Sequence, residues 1–282
     1  MSWILFTILS VVIASVASIL QRVLMKDDKS NPYSNAIIFH LLLGALVLVF
    51  GLVHRSDFSL LDGTMSMLFL ASALWGACQV FLFKALQLLE ASEVTIISGL
   101  RVVVTVIASV FFLNEVFNGW NILGMIFILV ATLLVVDISK GFRFSKGFWY
   151  TIAMTVFAGL AIVADSANVQ HYDVLVYSTF SNFFSGLFIF AFYPKALRKW
   201  RNFVQPGFLV KMVPLAVLSA TQGVLYLLAL TYGGNTAQVG TIRQASVIVT
   251  ILLAVVFLHE RGKLWHKFVA ALLVTVGVFL LS

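Results

Sequence analysis

Charge is scarce in this chain. Only 10% of its 282 residues are Asp, Glu, Lys or Arg, against roughly 25% in a soluble globular protein. Hydrophobic residues make up 61%, and so little charge cannot build a polar shell over them. A soluble enzyme and a disordered regulator are thereby excluded. Cysteine is nearly absent. Cys78 stands alone, which rules out an intrachain disulfide, a secreted disulfide scaffold and a cysteine-rich metal site. Nucleotide and catalytic signatures are missing too. No P-loop is present, so ATP does not drive the protein directly. No His/Glu zinc motif or Gly-x-Ser-x-Gly elbow occurs. No metal or cofactor is expected. Met1-Ser2-Trp3 offers no positive segment ahead of the first apolar run, so that run reads as a mature helix rather than a signal peptide. The net charge of +7 is not a nucleic-acid footprint, because the basic residues sit in short loops between apolar runs, where they orient a membrane protein.

What the chain has is long apolar runs. A helix needs about 20 apolar residues to cross the hydrocarbon core. Runs of that size occur at Met1–Gln21, from about Asn35 to His54, at Gly63–Phe83, at Val94–Asn114 interrupted by Arg101, and at Val116–Val136. A polar connector follows, with Lys140, Arg143 and Lys146. Gly147–Ala164 and Val174–Pro194 come next, then a basic loop with Lys195, Arg198, Lys199 and Arg201. The charge-free stretch Met212–Ile242 is too long for one span. Gly233-Gly234-Asn235 breaks it, since Gly disfavours helix and Asn tolerates turns. That gives spans near 209–231 and 236–258, the latter carrying Arg243, and a tenth at Trp265–Leu281. Ten spans leave no room for a soluble domain.

The two halves repeat. "TVIASVFFLNE", ending at Glu115, aligns with "TILLAVVFLHE", ending at Glu260, so that Thr105 matches Thr250. Apolar runs of equal length follow each. Upstream, Gln79–Leu88 resembles Gln222–Thr231. Five spans is an odd number, so the second copy enters the membrane from the opposite side. Inverted repeats are the architecture of many secondary transporters, with the substrate site near the midplane between the copies. The expected units are residues 1–137 and 147–282, joined by a connector at 138–146. The fold class is all-α integral membrane, ten transmembrane helices as two inverted five-helix repeats around a central cavity.

Ten spans in two halves, each with a short step to Glu after its penultimate helix, resemble the drug/metabolite transporter superfamily, EamA type. The matching steps are Asn114-Glu115 and His259-Glu260. Family members more often carry Gly-Glu, so both depart at the first position. The resemblance covers essentially the whole chain. It implies a small-molecule carrier working by alternating access, with a cavity lined from both halves. It does not identify the substrate. Amino-acid exporters, sugar-phosphate and nucleotide-sugar exchangers all belong there.

Orientation follows from the loops. The odd-numbered loops hold fourteen Lys and Arg, and the even-numbered loops hold Arg55 alone. The positive-inside rule places the odd loops in the cytoplasm and both termini outside. The family resemblance implies cytoplasmic termini instead, and the loop bias is the stronger physical signal. The basic loops and the lack of a targeting peptide suggest a multi-pass protein of a prokaryotic plasma (inner) membrane.

Charges inside the spans mark the candidate site. Each costs about 2.5–3.5 kcal/mol at mid-membrane and usually faces protein or a wet cavity. Arg101 and Arg243 both lie about eight residues into their spans, well inside helices of about 20 residues. In the repeat alignment Arg243 matches Ser98 and Arg101 matches Ser246, so each arginine stands one helical turn from a serine of the other copy. The arginine fork suits a carboxylate or phosphate. A structural charge satisfied by backbone carbonyls is the alternative. Ser98, Arg101 and Thr105 form one stripe, and Thr236, Gly240, Arg243 and Val247 another, beside Gln244. Small hydroxylated residues also serve close helix packing. Trp75, Gln79, Tyr177, Asn182, Gln222 and Tyr226 sit mid-span and combine a flat or apolar body with a polar handle, as in a pocket that orients a ligand. Glu93, Asp165 and His40 are candidates for a coupling proton. Against this, both acids lie near span ends, where an interfacial acid is the plainer reading, and a packing histidine is the plainer reading of His40. Glu115 and Glu260 read as loop structure. Lys84 reads as snorkelling to the interface. Trp3, Trp120, Trp149 and Trp265 read as interfacial anchors.

The function this supports is a secondary transporter, in the export direction, of amino acids or related carboxylates, acting as a monomer or weak dimer in the lipid bilayer. An exchanger of phosphorylated or nucleotide-linked metabolites is the alternative substrate class. A non-transporting membrane scaffold or an intramembrane enzyme is the alternative of another kind. No nucleophile and base at matching depths support the enzyme.

Overall fold

The apolar runs fold as helices in this computed structural model, which describes residues 3–26, 31–58, 65–113, 119–135, 145–168, 171–197, 206–231, 242–243, 246–260, 262 and 264–281. In chain order the helices are α1 (Trp3–Met25), α2 (Pro32–Val53), α3 (Met65–Leu88), α4 (Ala91–Ile97), α5 (Leu100–Leu113), α6 (Gly119–Val135), α7 (Lys146–Asn168), α8 (Val174–Phe192), α9 (Pro206–Thr231), α10 (Ser246–Phe257) and α11 (Leu264–Leu281). Ile242 and Arg243 are helical as well. α4 and α5 together make the fourth span, so the ten expected spans are present. The Gly233-Gly234-Asn235 break, the Asn114-Glu115 step and Thr236, Gly240 and Gln244 lie outside the described residues.

Local chemistry sets the helix starts. Asn31 Oδ1 accepts from the backbone N–H of Tyr33 at 3.0 Å and of Ser34 at 3.3 Å, with Pro32 in the first turn. Pro suits that position because its missing N–H has no partner to lose. Asp173 Oδ1 does the same for Leu175 at 2.8 Å and Val176 at 3.4 Å. Glu90 and Glu93 form a reciprocal box at the start of α4, satisfying donors that a helix leaves free.

The sequence predicts one uninterrupted fourth helix, and the structure differs. The backbone tightens at Ser98-Gly99, where Gly99 N–H reaches Ile96 O and Val102 N–H reaches Gly99 O. A Cβ on Gly99 would meet Val274 Cγ1 at 2.8 Å. The glycine lets α11 press onto this break, and the stripe Ser98–Arg101–Thr105 is cut by it.

The packing shows the internal symmetry. α1 packs on α9, and α3 on α7. α1 packs on α10, and α5 on α7. α2 packs on α9, and α3 on α8. Exchanging the first five spans for the second five turns each member of these pairs into the other. Three further contacts, α2 with α8, α6 with α11 and α4 with α10, map onto themselves, while α2 with α3 stands outside the pattern. An inverted repeat about a pseudo-two-fold axis has this pattern. α6 and α11 cross closely, since a Cβ on Gly277 would come within 2.7 Å of the Gly124 carbonyl and of Ile128 Cγ1. Small residues permit such approach where lipid supplies no hydrophobic drive.

Two buried clusters result. One, around Phe83, Met25, Ile37 and Met212, joins α1, α2, α3, α7 and α9. The other, around Ile96, Ile128, Ile251 and Val274, joins α4, α6, α10 and α11. The outer surface is apolar: Phe111, Phe192 and Val53 are all more than two-thirds exposed, which lipid tolerates and water would not. Trp120, Trp149 and Trp265 are exposed near helix ends, as interfacial anchors are.

Hydroxyls inside the spans serve the backbone. Thr7, Ser18, Thr95, Thr132, Thr151 and Thr275 each donate to the carbonyl four residues earlier. Others bridge helices, as Ser10 Oγ does to Gln222 O at 3.0 Å and Ser185 Oγ to Ser72 O at 2.7 Å. Lipid supplies no partner, so the protein must.

Candidate functional site

A cavity of about 300 Å³ lies among α1, α2, α3, α7, α8 and α9. His40, Trp75, Gln79, Asp165, Tyr177, Asn182 and Gln222 border it, so seven residues marked by their chemistry in scattered spans share one wall. Gln21, Ser178, Ser181, Ser185 and Ser219 join them. His40 lies eight residues into α2, and Asn182 eight residues into α8. At 1.5 Å per residue both stand about 12 Å from their helix starts. α2 and α8 enter from opposite sides, so the pair meets near mid-depth.

Three hydrogen-bonded groups organise the wall. His40 Nδ1 meets Asn182 Oδ1 at 3.0 Å, while Asn182 Nδ2 donates to Ser178 O at 2.8 Å. Asp165 accepts twice, from Trp75 Nε1 at 2.7 Å on Oδ2 and from Tyr177 OH at 2.5 Å on Oδ1. Gln222 Oε1 accepts from Arg243 Nη2 at 3.1 Å, and the Arg243 guanidinium carbon stands 4.2 Å from the centre of the Tyr226 ring. That stacking is a cation–π contact.

Arg101 and Arg243 do not themselves border the cavity. They are half-buried and lie within electrostatic reach of each other and of Tyr226. Among the described residues no carboxylate pairs with either. Gln222 connects Arg243 to the cavity wall. Ser98 Oγ donates to Thr95 O at 2.7 Å, and Thr105 Oγ1 to Arg101 O at 2.9 Å. Both hydroxyls thus serve backbone. Ser246 opens α10, where its carbonyl takes Ser15 Oγ at 3.3 Å. Glu93 stays at the start of α4, its Oε2 accepting from Glu90 N–H at 3.2 Å. Asp165 sits three residues before the end of α7 yet forms part of the wall.

The serines of α8 were the missed signal. Ser178, Ser181 and Ser185 follow a helical spacing with Asn182, and this polar face is legible in the sequence. Lys84 also differs from the expectation of snorkelling. Its Nζ donates to Tyr33 OH at 2.6 Å and lies 4.4 Å over the Tyr33 ring, with Phe81 and Tyr150 each at 5.4 Å.

The arrangement offers neutral and anionic contacts around one small space at mid-membrane, with Arg243 held behind Gln222, and among the described residues no paired nucleophile and base borders it. Its size and polar lining suit a small polar molecule. The same fold occurs in a solved crystal structure of another protein, at a TM-score of 0.65 and 17% identity over 99% of this chain and 94% of that one. At that identity the match speaks for the fold alone. No curated protein matches the chain in sequence. The model of the EamA-like transporter family matches twice, over residues 1–137 and 145–282. The chain belongs to the EamA-like transporter family: it is a multi-pass membrane transporter of small molecules, not an enzyme.

Proposed function

We propose that this carrier exports amino acids or related carboxylates by alternating access. One observation carries the reading. Two half-buried arginines stand close enough to repel, with no carboxylate beside either among the described residues. Such a pair is costly in an apolar interior unless an anion joins it. Gln222, bonded to Arg243, brings that demand to the cavity edge. A substrate carboxylate placed there accepts from the Gln222 amide N–H, with the Arg243 charge held just behind it. Rocking of residues 1–137 against 147–282, about the 138–146 connector, exposes the site to each side in turn. Asp165 is the coupling group among the three candidates, Glu93, Asp165 and His40.

The test is binding and counterflow in proteoliposomes. Arg243→Gln is expected to weaken carboxylate-bearing ligands about ten- to a hundredfold, the worth of a hydrogen bond to a charged group. Arg101→Gln acts in the same direction. Unchanged affinity in both folded variants means that the arginines are structural.

The fourteen-to-one loop bias supports termini outside the cell. In a Cys78→Ala background, an impermeant maleimide applied to intact cells is then expected to label His54→Cys and not Gly262→Cys. The reverse pattern places both termini in the cytoplasm.

A further inference from the structure

Two buried nitrogens in the cavity wall have no partner among the described residues, and they differ in kind. His40 is 6% exposed and Gln79 8%. Among the described residues, His40 Nε2 and Gln79 Nε2 make no hydrogen bond. Neighbours fix what each offers. Asn182 Nδ2 donates to Ser178 O, which turns Asn182 Oδ1 toward His40. An amide oxygen only accepts, so His40 Nδ1 carries the ring proton, and Nε2 of the neutral imidazole is a bare acceptor. The ring also interacts with the Trp75 backbone, which acts as a hydrogen-bond acceptor; with Nε2 unbonded among the described residues, that interaction falls to the protonated Nδ1. Gln79 Nε2 is a donor. α2 therefore presents an acceptor, and α3 a donor, to one cavity.

We propose that His40 and Gln79 form a neutral subsite that takes a hydroxyl or carboxamide of the transported molecule. That group donates to His40 Nε2 and accepts from Gln79 Nε2. The inference rests on the carboxylate-carrier reading, which places the charged end of the substrate at Gln222 and Arg243. The alternatives fit less well. A second carboxylate only accepts and leaves His40 unserved. An ammonium only donates and leaves Gln79 unserved. An apolar group leaves both buried atoms without partners, and sites built to hydrogen-bond a substrate reject such analogues most strongly. Charged end and side chain are thus recognised by different helices, α9 for the first and α2 with α3 for the second.

The experiment is thermal stabilisation of the purified full-length protein by matched ligands. Asparagine is compared with its apolar isostere leucine and its charged isostere aspartate, and threonine with valine. Asparagine and threonine are expected to bind about tenfold more tightly than their isosteres. Gln79→Leu is expected to erase that preference while leucine binding persists. Gln79→Glu turns the donor into an acceptor and shifts the preference from asparagine to diaminobutyrate, a gain that a misfolded variant cannot give. Equal affinities in the wild type, or a preference that survives Gln79→Leu, overturn the subsite. Arg243→Gln separates the two readings. It is expected to weaken every ligand together and keep the asparagine-to-leucine ratio. If it changes nothing while the ratio holds, the carboxylate reading fails and the subsite stands. If no amino acid binds, the carboxylate reading fails as well. The subsite is then decided by uncharged isobutyramide against its methyl ketone isostere, whose equal or absent effects overturn it.

Discussion

Glu260→Ala is expected to destabilise the protein by about 3 kcal/mol, the range for removing one partner from a buried ion pair, read as thermal unfolding in detergent. Glu260 is 7% exposed, and its carboxylate accepts three hydrogen bonds and pairs with one guanidinium. Oε1 accepts from Ala91 N–H at 3.1 Å. Oε2 accepts from Ser92 N–H at 3.3 Å and Ser92 Oγ at 3.0 Å. Arg22 Nε stands 3.6 Å from Oε1, and Arg22 also donates to the Leu86 carbonyl. Beside this cluster Lys267 pairs with Glu90. One side chain therefore ties the ends of α1 and α3, the start of α4 and the turn between α10 and α11, on the face of the basic loops. Alanine leaves two helix N–H groups, a hydroxyl and a guanidinium without their acceptor. Glu260→Gln keeps one accepting oxygen and is expected to cost about half as much. Arg22→Leu combined with Glu260→Ala is expected to cost less than the sum of the two, because both remove the same pair. The neighbouring residue supplies a control of opposite sign. His259 has a φ of 57°, the left-handed region that glycine adopts without strain. His259→Gly, which restores the residue more usual in the family, is expected to add about 1 kcal/mol of stability. A Glu260→Ala protein as stable as wild type would reduce this cluster to a surface contact.

The residues differ in how much of this the sequence reveals. Span number was legible because the bilayer sets helix length and apolar runs of that length are rare outside it. The repeat was legible because Glu115 and Glu260 occupy equivalent places beside similar runs. Arg101 and Arg243 stand out because a charge in an apolar run is costly. The place of Arg243 behind Gln222 was not legible, since it depends on which helix stands in front. The same holds for pairings. His40 and Asn182 are 142 positions apart, and nothing local in either helix names the other. Asp165 looked interfacial because position along a helix was the only measure of depth. Trp75 and Tyr177, arriving from other helices, place it in the cavity wall. Glu260 looked like loop structure because its partners come from segments far away in the chain. The Ser98-Gly99 break was hidden by continuous hydrophobicity, and its cause, Val274, lies in the last helix.

Asp165→Asn is expected to abolish accumulation driven by a pH gradient while leaving exchange at equal pH within a few-fold of wild type. A gradient of one pH unit supplies about 1.4 kcal/mol, a tenfold concentration ratio at one proton per substrate, so the wild-type signal is large enough to lose. The geometry gives the reason. Each oxygen of Asp165 accepts one donor, Trp75 Nε1 from α3 and Tyr177 OH from α8. A proton on Oδ2 makes that position a donor, and the Trp75 bond there must give way because an indole N–H only donates; a proton on Oδ1 merely reverses the bond to Tyr177, whose hydroxyl can accept. Trp75 belongs to the first half and Asp165 to the second, so protonation at Oδ2 loosens a contact between the units proposed to move. Asparagine stands for the protonated acid at all pH values: one oxygen still accepts, the other position donates, and the proton can no longer be exchanged. His40 and Tyr177 border the same cavity, so Tyr177→Phe, which removes one donor and leaves the carboxylate, separates the bond from the proton. It is expected to change rate and keep coupling. Glu93→Gln is expected to keep coupling as well, because Glu93 is held in the box at the start of α4. If Asp165→Asn still accumulates substrate against the gradient, Asp165 is an acceptor that positions Trp75 and Tyr177 and no more. If Glu93→Gln is the variant that loses accumulation, the coupling site lies at the start of α4, beside Glu260, and the cavity binds substrate without carrying the proton.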